Sequence, residues 1–407
     1  MIADDGRSSW TPEKLEDICA QVTDGKHGDC REQPGSGYYF LSCKDVADGK
    51  LNYEGARQIT ESDFIDTHRR TKLAPRDVLI TNSGTIGRMA IAADNDLTRH
   101  TTFQKSVAIL KPIPDRVESR FLYYALQSDI RRLIEFAGGT AQKNLLLRDL
   151  RAFEVRVPPL PMQRHIAGIL SAYDELIDNS QRRIRILETM ARSLYREWFV
   201  KFRFPGHGKV RWVPSALGEI PRGWEFKPLG KLANITMGLS PKGDTYNECG
   251  DGTPLVNGPV EFGEHFTKQI KWTSAPTKLC KAGALVVCVR GSTTGKYVKS
   301  DGVYCLGRGV CAIESEYQTF IDLLFAVELP TLLAQTGGST FPSWTGPQLQ
   351  THPVLSPPNE LLKEFEILVR PMSKLIAICS RKIDNLRQTR DLLLPRLLVG
   401  QKTSQTS

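Results

Sequence analysis

The residues best suited to chemistry lie where short apolar strands end in loops of small, polar and basic side chains. Asp77-Val78-Leu79-Ile80-Thr81-Asn82-Ser83-Gly84-Thr85-Ile86-Gly87-Arg88 is one such segment. Ala284-Leu285-Val286-Val287-Cys288-Val289-Arg290-Gly291-Ser292-Thr293-Thr294-Gly295-Lys296 repeats its pattern. Glycine and small hydroxyl residues let a backbone approach a phosphate closely, and Arg88 or Lys296 adds the counter-charge. The same pattern also describes a tight turn that ends in an exposed base. Further basic and amide groups gather in loops: Lys26, His27 and Arg31; Arg69, Arg70 and Lys72; Arg99, His100 and Gln104; Gln142, Lys143 and Asn144. These side-chain types pair with phosphates or base edges.

Motifs for catalysis fit poorly. Phe204-Pro205-Gly206-His207-Gly208 satisfies the F-x-G-x-G pattern of adenine methyltransferases, but it leaves a helix and runs into a Pro-rich stretch, whereas a cofactor loop follows a strand. Ser356-Pro357-Pro358-Asn359 lacks the aromatic residue that would stack on a flipped base. There is no G-x-x-x-x-G-K-S/T phosphate loop, and no acidic pair followed by E-x-K on a strand that would make a metal-dependent nuclease. His27 and Cys30 form the nearest approach to a metal site, and two ligands without a second pair suit a loop better. No cofactor and no metal are expected.

The elements that must position the loops show a repeat. At an offset of 199 residues Phe121 matches Phe320, Gly138-Gly139 match Gly337-Gly338, Leu150 matches Leu349, and Pro158-Pro159 match Pro357-Pro358. Ile177, Ile184, Leu187 and Leu194 match Ile376, Ile383, Leu386 and Leu393 at the same offset. The unit is too long for a solenoid and reads as a duplicated module of one globular domain followed by one long helix. Short β-like runs punctuated by Gly, Asn, Asp and Pro, with one helical patch, make each globular part α+β. Ile166, Leu170, Tyr173, Ile177, Ser180, Ile184, Leu187, Ala191, Leu194 and Trp198 step by four and three. Phe365, Val369, Met372, Ile376, Cys379, Ile383, Leu386, Arg390, Leu393 and Leu397 hold the same phase. A single such seam cannot bury itself, so the two helices are expected to pair as an antiparallel coiled coil separating two similar globular domains.

The expected boundaries are 1–157 for the first domain, 158–202 for the central helix, 203–223 for a turn-rich linker, 224–356 for the second domain and 357–400 for the last helix. Residues 401–407 read as a disordered tail. With 407 residues both domains can bury a core. The formal charge of +9 favours an acidic partner such as nucleic acid. Nine cysteines without a C-x-x-C fit a reduced, cytosolic setting, and neither a signal peptide nor an apolar run long enough for a membrane span is present.

The segment Val157-Pro158-Pro159-Leu160-Pro161-Met162-Gln163-Arg164-His165-Ile166-Ala167-Gly168-Ile169-Leu170 resembles the central region of the specificity subunits of type I restriction-modification systems. That family shows P-L-P-x-x-x-Q, then I-A-x-I-L, then a long helix ending near E-W-F, which stands here as Glu197-Trp198-Phe199. Asp24-Gly25-Lys26-His27-Gly28 resembles its D-G-T-H loop, with Lys in place of Thr. Gly139-Thr140-Ala141-Gln142-Lys143-Asn144 resembles G-S-T-Q-K-N, and Ser240-Pro241 through Gly252-Thr253-Pro254-Leu255-Val256-Asn257-Gly258 resembles a pattern of the second domain. The likeness spans nearly the whole chain. The second copy departs from it, because Asn359-Glu360-Leu361-Leu362 replaces the usual Gln-containing turn.

The resemblance implies two target-recognition domains, each reading one half of a split double-stranded DNA sequence. It also implies that two adenine methyltransferase subunits dock along the helices and that endonuclease/translocase subunits join them, so that catalysis belongs to the partners. Base and phosphate contacts are expected from Lys26, His27, Arg69, Arg70, Asn82, Ser83, Arg88, Gln142 and Lys143 in the first domain. In the second they are expected from Lys242, Asn257, Arg290, Ser292, Thr293, Lys296 and Trp344. Two other readings stay open. A catalytic methyltransferase or nuclease fragment would bind S-adenosylmethionine or a divalent metal by itself, and a coiled-coil scaffold would bind DNA without sequence preference.

Overall fold

A computed structural model describes residues 10–47, 49–136, 144–215, 218–336 and 342–398. The chain divides into two compact units, one of residues 1–178 with 384–407 and the other of residues 179–383.

In the first unit an antiparallel four-stranded sheet runs in the order Cys19–Asp24, Val107–Pro112, Val78–Thr81, Met89–Ile91. Val78, Val107, Ile109 and their neighbours are completely buried, as β-branched residues in a sheet covered on both faces should be. One face packs on the helix Ser119–Ser128 through Phe121, Leu122, Tyr124 and Ala125. The other meets a smaller cluster around Leu41, Val46, Leu73 and Phe103. Thr11–Lys14 pairs antiparallel with Glu154–Val157, which brings the two ends of the domain together just before the central helix.

The second unit contains the same design. Its four-stranded sheet runs Asn234–Met237, Val310–Glu314, Leu285–Cys288, Tyr297–Lys299, again antiparallel throughout. Glu225–Pro228 pairs with Pro353–Ser356 as the closing ribbon, and Gln318–Ala334 is the helix on its face. The parallel pair Tyr39–Leu41 with Thr101–Phe103 of the first unit has its counterpart in Thr253–Val256 with Tyr304–Leu306. There the second unit has a five-stranded sheet. The first unit is nevertheless the longer between its Trp and its helix, 111 residues from Trp10 to Phe121 against 96 from Trp224 to Phe320, which is why Trp10 and Trp224 are further apart than the offset of the repeat.

Two prolines precede each long helix, Leu160–Tyr195 and Asn359–Leu398, and end the strand before it. These helices have 36 and 40 residues, or roughly 54 and 60 Å at about 1.5 Å per residue. In the first unit Ile166, Ala167 and Leu170 of the central helix share a core with Leu394, Leu397 and Leu398 of the last one. Four residues beyond Leu170, Asp174 accepts from Arg390 at 2.5 Å, so the two segments run antiparallel. In the second unit Tyr195, Trp198 and Phe199 surround Phe365 in edge-on and tilted contacts, with centroids 6.2, 5.6 and 4.8 Å away, while Ala191 shares their core with Val369 and Met372. That pairing is antiparallel as well.

Every residue of both expected seams is buried or half-buried. Ile166, Leu170, Ile177, Ile184, Val369 and Ile383 are buried, and Leu187, Leu194, Ile376, Leu386 and Leu393 are partly covered. Arg390 stands in an otherwise apolar seam because Asp174, which also accepts from the Tyr124 hydroxyl at 2.5 Å, supplies its counter-charge. The central helix ends in a π-turn, Arg196–Val200, that turns both Trp198 and Phe199 into the core. The turn-rich stretch after it holds more structure than its composition suggests. Trp212–Ser215 and Gly218–Pro221 pair as a hairpin, and Phe204 is buried 5.7 Å from the Trp224 ring.

Ile383 is 3% exposed and Ile378, a turn and a half earlier on the same helix, is 58% exposed. Ile383→Ala is expected to lower stability by about 2–5 kcal/mol, and Ile378→Ala by less than about 0.5 kcal/mol. Urea unfolding followed by circular dichroism checks the pair.

Candidate nucleic-acid interface

In each unit several loops meet at one end of the sheet, held by a matching set of backbone N–H donors, whose acceptors are carbonyls except for the Ser240 hydroxyl in the second unit. In the first, Gly25 N donates to Val107 O at 3.3 Å, Lys26 N to Phe103 O at 2.8 Å, and Lys105 N to Lys26 O at 3.0 Å. Asn82 N donates to Ser106 O at 3.0 Å, Gln104 N to Leu41 O at 2.8 Å, and Leu145 N to Asn82 O at 2.9 Å. In the second, Gly238 N donates to Val310 O at 3.0 Å, Leu239 N to Leu306 O at 2.8 Å, and Arg308 N to Ser240 Oγ at 3.1 Å. Val289 N donates to Gly309 O at 2.9 Å, Gly307 N to Val256 O at 2.7 Å, and Trp344 N to Val289 O at 2.9 Å. The two platforms are therefore structural equivalents, with Gly25 matching Gly238, Asn82 matching Val289 and Lys105 matching Arg308. Gly25 and Gly238 have to be glycine, since a Cβ would stand 2.0 Å from Phe103 O and 2.1 Å from Gly307 O.

The hairpin loops singled out by sequence close in the same way. Thr81 N donates to Arg88 O at 2.8 Å and Gly87 N to Thr81 O at 2.9 Å, while Cys288 N donates to Lys296 O at 2.8 Å and Gly295 N to Cys288 O at 2.9 Å. Gly87 and Gly295 take positive φ of 88° and 90° against helix residues, Ile130 in one unit and Leu329 in the other. The Thr81 hydroxyl is committed to the loop itself, donating to Thr85 O at 2.5 Å and accepting from Arg88 N at 2.9 Å. Asp77, at the start of the strand, is buried, which raises its carboxyl pKa although Lys111 lies 2.5 Å away.

The candidate contact residues fall into distinct groups. Arg69, Arg88, Lys242, Arg290 and Lys296 are exposed and make no ion pair with the described residues; Ser292 is exposed, and Ser83, Asn257 and Thr293 are half-buried. Lys26, His27 and Arg70 are already engaged. Lys26 lies 3.3 Å from Asp66 and 3.8 Å from Asp63, and Asp24 lies 3.3 Å from His27 and 2.5 Å from Arg70. Slight burial lowers the Lys26 pKa, but its hydrogen bond to Asp66 and the nearby acids hold it above the ordinary lysine value. Asn82 is buried, with its Oδ1 lacking a partner. Trp344 belongs to the core, 3% exposed, with its indole N–H donating to Leu332 O at 3.0 Å; it fills the position that Leu145 fills in the first unit. Gln142 and Lys143 lie outside the described residues. Cys30 is buried with Phe40, Ile59 and Phe64 while His27 is exposed, so the pair makes no ligand set.

Three exposed cations on these platforms escape the sequence reading. Lys44 neighbours Cys43, whose N–H donates to Ser106 Oγ at 3.1 Å, and Lys105 and Arg308 cap the same tight turn in the two units. Their turn repeats at an offset of 203 rather than 199, which hides the match from an ungapped comparison.

Residues 8–189 match the family described as the type I restriction modification DNA specificity domain. Beyond that segment, nearly the whole chain is similar to specificity subunits of type I restriction-modification systems. It is similar to the type I restriction enzyme MjaIX specificity subunit of Methanocaldococcus jannaschii, with 26% identity over 96% of this chain and 93% of that one. The HindI specificity subunit of Haemophilus influenzae is 21% identical over 97% of this chain and all of its own length, 100%. The crystal structure of the type I restriction-modification S subunit from M. genitalium shares the fold, with a TM-score of 0.64 and 17% identity over 95% of this chain and 96% of that one. A specificity subunit is not itself an enzyme; activity resides in its partner subunits. Among the described residues no helix is long and apolar enough to cross a membrane.

Lys105→Ala and Arg308→Ala are each expected to weaken DNA binding evenly across sequences and to reduce the slope of log affinity against log salt by about 1. A salt titration with cognate and scrambled duplexes measures both quantities.

Proposed function

We propose that each loop platform reads one half of a split double-stranded DNA target, and that the paired helices set the gap between the halves. The observation that carries this reading is the duplication of the platform, with the same strand order, the same closing glycines and an exposed cation at the same turn in both units. Arg69, Arg88, Lys105, Lys242, Arg290, Lys296 and Arg308 would hold phosphates, leaving base edges to the polar groups of the loops. Domains of residues 1–157 and 224–356 would be the recognition units.

The long helices also carry apolar side chains outside the seam. Ile186 and Met190 on one helix and Ile367, Leu368, Leu375 and Ile378 on the other are exposed in the second unit. Exposed apolar groups in that number suit a protein partner. Two adenine methyltransferase subunits would dock there, with endonuclease/translocase subunits completing the complex.

The test is to express the chain with its methyltransferase subunit in a methylation-free host and map modified adenines across the genome. A split motif with a fixed gap, lost when this chain is omitted, is the expected result; modification without a split motif would refute the reading. Removing seven residues from each helix at facing positions shortens the pair by about 10 Å, or roughly three base pairs of duplex. The gap should change by about that amount while both half-sites stay the same, and an altered half-site would show that the helices do not set the spacing.

A further inference from the structure

The two globular domains are fastened to their long helices by different chemistry. In the first unit Gln163, one turn into the central helix and completely buried, makes three hydrogen bonds. Its Oε1 accepts from Glu118 N at 2.8 Å, and its Nε2 donates to Arg116 O at 3.1 Å and Pro158 O at 2.8 Å. Glu118 in turn caps the helix Ser119–Ser128 itself, accepting from Phe121 N at 2.7 Å. Capping and fastening are thus separate jobs here.

The repeat places Leu362 opposite Gln163 and Tyr317 opposite Glu118. Neither can do the job, since Leu362 is apolar and buried and Tyr317 makes no side-chain cap. Glu366, one turn further along the last helix, takes both. It is 4% exposed, and its Oε1 accepts from Phe320 N at 3.0 Å, the amide equivalent to that of Phe121. Its Oε2 accepts from Arg370 Nε at 3.2 Å, and Arg370 Nη2 donates to Glu316 O at 3.2 Å. One carboxylate from the long helix therefore caps the domain's helix and ties the domain down.

We propose that Glu366 is the positioning residue of the second junction, holding the second recognition domain at a fixed angle on the last helix and so helping to fix the gap between half-sites. This role rests on the reading that the two domains recognise half-sites at a set spacing. A buried N–H without an acceptor is costly, and Glu366→Leu leaves Phe320 N in that state. Gln163→Leu takes the acceptor from Glu118 N, but Glu118 is only half-buried and within reach of water, and Phe121 N stays capped by Glu118, so the first junction should tolerate loss of its fastener better.

The experiment compares wild type, Glu366→Leu, Glu366→Gln and Gln163→Leu, each purified with the methyltransferase subunit. Amide hydrogen exchange is read at Phe320, and methylation is read on duplexes whose gap is native, one base pair longer or one base pair shorter. Glu366→Leu should speed exchange at Phe320 about tenfold and cost about tenfold in discrimination between gaps, with unchanged half-sites. Glu366→Gln keeps the acceptor and should restore most of both, and Gln163→Leu should lose less. Wild-type exchange and wild-type discrimination in Glu366→Leu would overturn the proposal. If that variant does not accumulate, Glu366→Asp, whose shorter side chain withdraws the carboxylate, replaces it with the same expected direction, and wild-type behaviour again overturns the role. If the wild type methylates no split motif, the recognition reading has failed, while exchange at Phe320 still decides whether Glu366 fastens the domain.

Discussion

An amphipathic helix of 36 or 40 residues cannot cover its own apolar stripe. That constraint governs both units. In each, a segment of one long helix lies antiparallel against a segment of the other, and the domain's own helix and sheet close over the pair to form a single core. The one basic residue in a seam, Arg390, is answered by Asp174, itself held by Tyr124, and by Asp391 next to it in the chain. Removing Arg390 would leave the half-buried Asp174 without a counter-charge, which costs more than the pair contributes.

On this foundation the globular domains need only a rigid attachment and a set of loops. The sheets supply the loops. Because neighbouring strands are antiparallel, the ends of Cys19–Asp24 and Val78–Thr81 and the start of Val107–Pro112 lie together, and the second sheet brings its equivalents together in the same way. The closely approaching glycines, Gly25 and Gly238, let the chain cross over the adjoining turn without a side chain in between. Charge at these platforms is less abundant than composition suggests. Asp24, Asp63 and Asp66 answer Lys26, His27 and Arg70 within the first domain, so the cations open to a phosphate are the unanswered ones. The chain's excess of positive charge says little about where an anion would sit until these internal pairs are subtracted.

The duplication, the two heptad seams, the prolines before each helix and the closing hairpin loops were legible in the sequence because each depends on local spacing. Glu197-Trp198-Phe199 was legible as a motif, but only the π-turn explains how two consecutive aromatic residues both face inward. Trp344 looked like a contact residue and is a core residue, because its backbone pairs with Val289 and its indole N–H with Leu332. Lys105 and Arg308 were missed for the opposite reason. Insertions shift their register, and equivalence became visible only in the hydrogen bonds that hold their turn.

Sequence by itself determined the periodic features: two copies, α+β domains, two long helices that had to find a partner stripe, and a resemblance to a family whose motifs span the junction. Tertiary structure alone decided which polar groups remain available and which are used up. Periodicity encodes which face of an element is apolar, because that depends on neighbours a few residues away. Whether Lys26 is neutralised, Asn82 is covered or Glu366 reaches Phe320 depends on groups tens of residues distant along the chain, which only folding brings within hydrogen-bonding range.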